Sequence, residues 1–459
     1  MAAARGIAFV EGRTGPELVC AALARTFGSQ AAIAAEAAKV REELAKEGKG
    51  RDDVNRLRAQ EEDLRRRADD ERDVEAALRG ALLGFRDEGA LDYLASTALR
   101  GTGPAEMRAA AAEALGQSAR ADPGILRALR AAARDSKPLV REAALAALAR
   151  LLARGAEAAA EIAKGLDDAR WTVRLQAARR LAGLALPESV DGILARLPRE
   201  SGRVRRELAD LLAALTGQKF GVEPEGWTHW WKENRAAYVS GERALVPPED
   251  RPPPRAEGDR GAHYYGISID SQRILFVIDI SGSMEDAGSS PNASKEQEAK
   301  RELVRCVKSL AADDAFGVYA YSDTVQKWKP GIVKASAGVK EEALRWIESL
   351  SAAAWTNTYA ALEEGLRISV ADPRNDMGED YGLHPDTIFL LTDGAPTGPT
   401  GRTSDAKGEP EWKRVLEGVR GWNRTKRVVI HAVGVGASIN SEFLATLARE
   451  NGGSFVRVK

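Results

Sequence analysis

Asp279, Ser281 and Ser283 stand at alternate positions in Asp279-Ile-Ser281-Gly-Ser283, directly after the apolar run Ile274-Leu-Phe-Val-Ile278. Further along, Trp355-Thr356-Asn357-Thr358 and Leu391-Thr-Asp393-Gly394 bring two more polar clusters, the second again at the end of an apolar run. Two carboxylates and three hydroxyls, all oxygen, with no sulfur or imidazole among them, suit a hard divalent cation. So few protein charges leave room for waters and for an acidic ligand from outside. Mg²⁺ fits best, because it retains waters and takes only one or two carboxylates; Mn²⁺ and Ca²⁺ are alternatives. The expected metal residues are Asp279, Ser281, Ser283, Thr356 and Asp393. Thr358 competes with Thr356, the first of the two and the one preferred. Gly282 is expected to permit the tight turn.

These residues need a scaffold that brings three strand ends and loops together. From residue 263 onward strands and helices alternate. Strands are expected at 274–278, 315–321, 387–391, 427–433 and 454–458, with helices at 294–312, 339–350, 358–370, 409–422 and 441–450. This alternation predicts a doubly wound, mostly parallel α/β sheet, in which ligands bind outside the carboxyl ends of the strands at the switch point. The polar clusters lie at those ends.

With both loops in order, the segment 264–459 resembles a von Willebrand factor type A (vWA) domain with a metal-ion-dependent adhesion site. The family pattern is Asp-x-Ser-x-Ser, a threonine on a second loop and an aspartate on a third; all five positions match. The lead-in His263-Tyr-Tyr-Gly-Ile-Ser-Ile and the complete motif are most similar to bacterial members. The resemblance implies that the metal bridges to a glutamate or aspartate of a partner protein. It also implies that Thr356 and Asp393 exchange direct and water-mediated contact as loops and the helix 441–450 shift between states. An assembly component, such as an AAA-type ATPase, is a further expected partner class.

The rest of the chain is helical. Residues 17–82 are alanine-rich and charged; helices are expected at 31–47 and 51–82, broken at Gly48-Lys49-Gly50. Val54, Leu57, Leu64 and Leu78 suggest a coiled-coil seam, but Glu61, Glu71 and Glu75 interrupt it, so a solvated, partly frayed hairpin is the expectation. Within 83–216 a repeat recurs with near-constant spacing at Met107-Arg108, Val140-Arg141, Val173-Arg174 and Val204-Arg205. Such a period predicts an all-α solenoid with two helices per unit. It resembles HEAT-type or PBS-lyase-type repeats, whose Asp-x-x-x-x-Val-Arg turn is matched by Asp135 to Val140 and Asp168 to Val173. Trp227, Trp230 and Trp231 fall on one helix face and are expected to cap the last repeat. Five prolines within 244–260 mark a semi-rigid spacer. The division is therefore 1–82 helical region, 83–240 repeat domain with its tryptophan-rich cap, 241–262 linker and 263–459 vWA domain.

Composition narrows the function. The 459 residues carry a net charge of −1 with 29% charged residues, which argues against a general nucleic-acid or membrane surface. Two cysteines far apart give no disulfide framework, and four scattered histidines give no zinc spacing. No apolar stretch approaches the length of a membrane span, and the N-terminus lacks an export leader, so a cytoplasmic location is expected. Among enzymes, a phosphotransferase or hydrolase using Asp279 with Mg²⁺ is the strongest rival. However, Ser281 stands where haloacid-dehalogenase-type enzymes carry their second aspartate, and neither a P-loop nor Gly-x-Ser-x-Gly is present. Arg203, Arg205 and Arg206 suggest a helical-repeat scaffold for nucleic acid, against a solvated face balanced by Glu200 and Glu207. The reading is a non-enzymatic, metal-dependent protein-interaction scaffold with the helical repeats as a second binding surface.

Overall fold

The structure is a computed structural model that describes residues 12–44, 46, 50–152, 155–247, 262–290, 292–352, 355–370, 384–404, 408–424 and 428–458. Most of the proline-rich spacer lies outside these residues. The chain divides into two compact units, Met1–Ile33 with Arg67–Gly258, and Ala34–Arg66 with Asp259–Lys459.

The hairpin forms, with α1 at Thr14–Leu44 and α2 at Arg51–Gly84. α1 begins well ahead of the expected start at residue 31, because its first turns bury Val19, Cys20 and Leu23 in a core cluster. The seam glutamates are not solvated. Glu71 accepts from Ser29 Oγ at 2.7 Å, Glu75 accepts from Gln30 Nε2 at 3.0 Å, and fully buried Glu61 accepts from Arg41 Nε at 2.7 Å. The seam is thus polar where a coiled coil would be apolar. Among the described residues α1 is also the single helix long and apolar enough to cross a membrane, by length and composition only. Val19, Cys20 and Leu23 of α1 are buried in a core cluster.

In the first unit, α3 (Glu88–Tyr93) and a π turn (Leu94–Ala98) lead into helix pairs. These comprise α4 (Ala105–Gln117), α5 (Pro123–Ala132), α6 (Pro138–Leu151), α7 (Ala156–Ala163), α8 (Trp171–Leu184), α9 (Pro187–Arg196), α10 (Gly202–Thr216) and α11 (Pro224–Val239). The Val-Arg helices α4, α6, α8 and α10 pack in sequence, each against the next. Small buried alanines such as Ala109, Ala112, Ala144, Ala147, Ala177 and Ala178 let their backbones approach. The repeat arginine has a defined task. Arg108 bonds Asp135, Arg141 grips Asp168 through two nitrogens at 2.7 and 2.8 Å, and Arg174 grips Glu200 at 2.5 and 3.1 Å. Each carboxylate belongs to the following repeat. Asp135 and Asp168 also accept from the backbone N–H two residues on, so one aspartate both shapes a turn and ties two repeats.

Trp227 and Trp231 are buried on α11, which packs on α9; Trp231 Nε1 donates to Asp191 at 2.7 Å. Arg203 and Arg206 are no exposed basic patch and no solvated face. Both are buried and pair with Glu207 and Asp210, while Arg205 bonds the Glu200 carbonyl. A carboxylate one turn ahead of each explains it.

The second unit holds an α/β domain. Its elements are β1 (His263–Tyr264), β2 (Ile267–Ser268), β3 (Arg273–Asp279), α12 (Lys295–Ser309), β4 (Ala315–Tyr321), β5 (Val325–Lys327), β6 (Val333–Lys334), α13 (Ala337–Ser349), α14 (Thr358–Val370), β7 (Thr387–Thr392), α15 (Glu411–Trp422), β8 (Val429–Val435), α16 (Ser441–Glu450) and β9 (Phe455–Val458). The sheet order is β5-β4-β3-β7-β8-β9, with β6 also on β4. The pairs β3–β4, β3–β7, β7–β8 and β8–β9 are parallel, and β5 and β6 are antiparallel. Alternation sorts the two faces. Ile274, Phe276 and Ile278 point toward α12 and α13, whereas Leu275 and Val277 point toward α14, α15 and α16. From β3 the chain winds one way to β4 and then crosses to the other side, to β7, so the switch point lies between β3 and β7.

Residues 34–66 are part of this unit, held by charge. Arg41 bonds Glu61 and Glu363, Arg58 bonds Asp323, Arg65 bonds Glu411 and lies over the Tyr359 ring, and Glu62 bonds Arg414. The expected boundary at residue 82 keeps the hairpin whole in one region. The compact units instead part it after Ile33 and after Arg66, because its far half carries the cations and carboxylates that complement residues 323–414.

Candidate functional site

β3 is buried at every position, and its register places Ile278 opposite Leu391 of β7 and Asp279 opposite Tyr321 of β4. Both central strands therefore end together, and the residues that follow converge. Asp279 Oδ1 accepts from the Ser281 N–H at 2.8 Å, and Asp279 Oδ2 accepts from Thr392 Oγ1 at 2.6 Å. Ser281 and Ser283 hydroxyls lie 3.2 Å apart, and Ser283 Oγ donates to Asp393 Oδ1 at 2.8 Å. The turn is a 3₁₀ helix, Gly282–Glu285, anchored by buried Met284. Gly282 does not use a left-handed φ, so the turn does not rest on the backbone freedom expected of a glycine there.

Asp279, Ser281, Ser283 and Asp393 thus form one hydrogen-bonded set. Thr356 is not bonded to this set; its backbone is tied to the loop that follows Asp393. Its N–H donates to Thr397 Oγ1 at 2.9 Å, its carbonyl accepts from the Thr397 N–H at 2.8 Å, and Thr397 lies on the loop that follows Asp393. Asn357 donates its N–H to the Ser322 carbonyl at 2.7 Å, tying the threonine loop to the end of β4. Thr358 opens α14, fully buried; its hydroxyl faces the Tyr321 phenol and has no partner at hydrogen-bonding geometry.

The electrostatics are those of a site short of positive charge. Burial pushes the Asp279 carboxyl up to about 6, against the hydrogen bonds from Thr392 and Ser281 and with help from the nearby Asp393 charge. One cation is built in. Lys295 Nζ donates to Asp393 Oδ2 at 2.8 Å, to Asp286 Oδ2 at 3.2 Å and to the Ser283 carbonyl at 3.2 Å. Burial works against the ammonium, and Asp393 and Asp286 outweigh it, holding its pKa above the usual lysine range. Lys295 and Thr392 were not among the sequence candidates. Thr392 sits in Thr-Asp-Gly, next to a candidate; Lys295 lies beyond the Ser283 turn, at the start of the next helix and in no local pattern.

Among the described residues no three His, Cys, Asp or Glu side chains cluster as a metal site, so any cation here relies on hydroxyls. The donor set of two buried carboxylates and adjoining hydroxyls is chemically suited to a hard divalent ion. Cys20 and Cys306 are buried, free thiols.

Comparison with known proteins bears on the second unit. The family model of the von Willebrand factor type A domain matches residues 274–459. The chain is 27% identical over 206 residues to inter-alpha-trypsin inhibitor heavy chain H1 of Mesocricetus auratus, covering 43% of this chain and 20% of that protein. It is 30% identical over 196 residues to heavy chain H3 of the same organism, covering 42% and 20%. The chain thus spans about a fifth of the length of these relatives. A solved von Willebrand factor type A structure from Catenulispora acidiphila aligns at 19% identity and a TM-score of 0.32, covering 40% of this chain and 38% of that one. Residues 274–459 are a von Willebrand factor type A domain.

Proposed function

We propose that Asp279, Ser281, Ser283, Thr356 and Asp393 hold a divalent cation, Mg²⁺ by preference with Mn²⁺ or Ca²⁺ as substitutes. A carboxylate of a partner protein then completes its coordination. The observation that carries this reading is the hydrogen-bonded set of Asp279, Ser281, Ser283 and Asp393 at the switch point, with a desolvated carboxylate at its centre. The cation supplies Lewis-acid attraction for an incoming acidic group. The chain's own residues anchor the two carboxylates, Asp279 through Thr392 and Asp393 through Ser283, and tie the threonine loop to the Asp393 loop through Thr397. A binding role is favoured over phosphotransfer because the position two residues after Asp279 is a serine, which cannot serve as a general acid.

The helix pairs, a repeat array of the HEAT kind, are the second binding surface, so the protein is a non-enzymatic scaffold. Titration of the full chain with MgCl₂ and MnCl₂ tests the metal reading. Binding is expected for wild type and lost in Asp279→Ala, while a wild type that binds neither ion overturns it. Capture of protein partners that disappears with both chelator and Asp279→Ala would tie the partner to the metal.

A further inference from the structure

Lys295 stands in the wrong place for a structural lysine. It is the first residue of α12, after the N-cap Ser294, whose hydroxyl and Gln297 form a capping box. A helix N-terminus carries partial positive charge and disfavours a cation there; Glu296 and Glu298 of the same turn obey that rule. The misplacement is compensated by the site. All three ammonium protons have acceptors, namely Asp393, Asp286 and the Ser283 carbonyl. The side chain is 12% exposed. Its stem has a fitted path. Gly436, the residue just after β8, has φ +89°, and a Cβ there would stand 3.1 Å from Lys295 Cε. Bare backbone thus makes the groove through which the lysine reaches Asp393. The loop before α12 is folded back to deliver it, with Ala287 bridged to Ser294 and the Lys295 N–H donating to the Asp286 carbonyl at 3.0 Å.

Asp393 is consequently divided. Oδ1 takes the Ser283 hydroxyl, and Oδ2 takes the ammonium. Asp286 is largely exposed, so solvent screens its share of the charge. Counting the two buried carboxylates and Lys295, the site carries one net negative charge. A divalent ion makes it net positive, where without the lysine it would be neutral. We propose that Lys295 is a built-in cation of the metal site that opposes divalent-ion binding through Asp393 and turns the loaded site into an attractor of anionic ligands. This assignment rests on the metal reading above.

The test is isothermal titration of the full chain with MgCl₂ and MnCl₂, comparing wild type, Lys295→Met, Lys295→Gln and Lys295→Arg, with melting curves to verify folding. Methionine keeps an unbranched stem for the Gly436 groove. Lys295→Met and Lys295→Gln are expected to bind both ions at least roughly threefold tighter than wild type, the size one like charge supplies at a partly solvated site. Lys295→Arg is expected to stay near wild type. The gain should shrink between roughly 50 and 500 mM KCl, as screening requires. Equal or weaker binding by both neutral variants, with wild type binding normally, overturns the Lys295 assignment and leaves the metal reading intact. Absence of binding by wild type and all variants removes both.

Discussion

Replacing Asp279 with asparagine should stabilise the metal-free protein while destroying its response to metal. A carboxyl held at about 6 against an ordinary 3.8 is one whose ionised form the fold disfavours. At ~1.4 kcal/mol per pH unit, the ionised Asp279 costs the metal-free fold ~3 kcal/mol near neutral pH. The sign follows from the raised value. The favourable, protonated state is fully present below the unfolded pKa near 3.8 and is lost as pH rises through about 6. Asparagine removes the charge but keeps only one acceptor, so one of the bonds from Thr392 and Ser281 is forfeited, at about 1 kcal/mol. A net gain of about 2 kcal/mol remains, equivalent to a rise of roughly 4–8 °C in the melting temperature for a unit of this size. Differential scanning fluorimetry in EDTA at pH 7.5 should show that rise, and the same scan at pH 4.5 should show it mostly gone. With excess Mg²⁺ the order should reverse, since ligand linkage at a hundredfold excess over Kd adds about 2.7 kcal/mol to wild type alone. An asparagine variant that melts below wild type in EDTA at pH 7.5, or a difference independent of pH, would refute the reasoning.

Mn²⁺ affinity should be about fourfold weaker at pH 5.5 than at pH 7.5, because a proton competes for Asp279; equal affinities by titration calorimetry would count against it. Arg141→Leu leaves the partly buried Asp168 without its partner and should cost about 3 kcal/mol in urea unfolding of the full chain. Trp231→Ala opens the end of the repeat array and should cost about 3 kcal/mol by the same measurement, with a loss below ~1 kcal/mol arguing that α11 is not a cap. Arg65→Met should cost about 2 kcal/mol, since Arg414 still pairs Glu411; hydrogen exchange should quicken in residues 51–66 and not in 105–117.

The site was legible where its chemistry is local. Asp279, Ser281 and Ser283 advertise themselves by spacing, and Asp393 by ending the next buried strand, because a parallel sheet puts such ends side by side. Strand ranges for β3 and β4 follow from unbroken apolar runs, and helix ends slipped slightly where capping set them, as at Ser294. Lys295 was not legible. Its role depends on a loop reversal and on the bare backbone of Gly436, just past β8 and remote in sequence. The buried seam of the hairpin is hidden in the sequence for a related reason. Glu61 reads as a surface residue until Arg41 and the charges at 363 and 364 are placed around it, and no local periodicity encodes partners so far along the chain. Arg203 and Arg206 show the converse, an apparent basic patch cancelled within one turn by Glu207 and Asp210.

The split membership of the hairpin sets an order of events at the ribosome. Residues 34–66 are synthesised early, and the segment that completes their unit begins only at residue 259. At ~5–20 residues per second, roughly 10–40 s pass before residue 259 is even made, and longer before β7 and α15 emerge. The intervening helix pairs rest on neighbour-to-neighbour contacts and can form as they appear. The α/β unit cannot; Arg41 and Arg65 must wait, hydrated, until Glu363 and Glu411 arrive. Charge suits that delay, because a solvated salt-bridge half is far less prone to aggregate than an exposed apolar face.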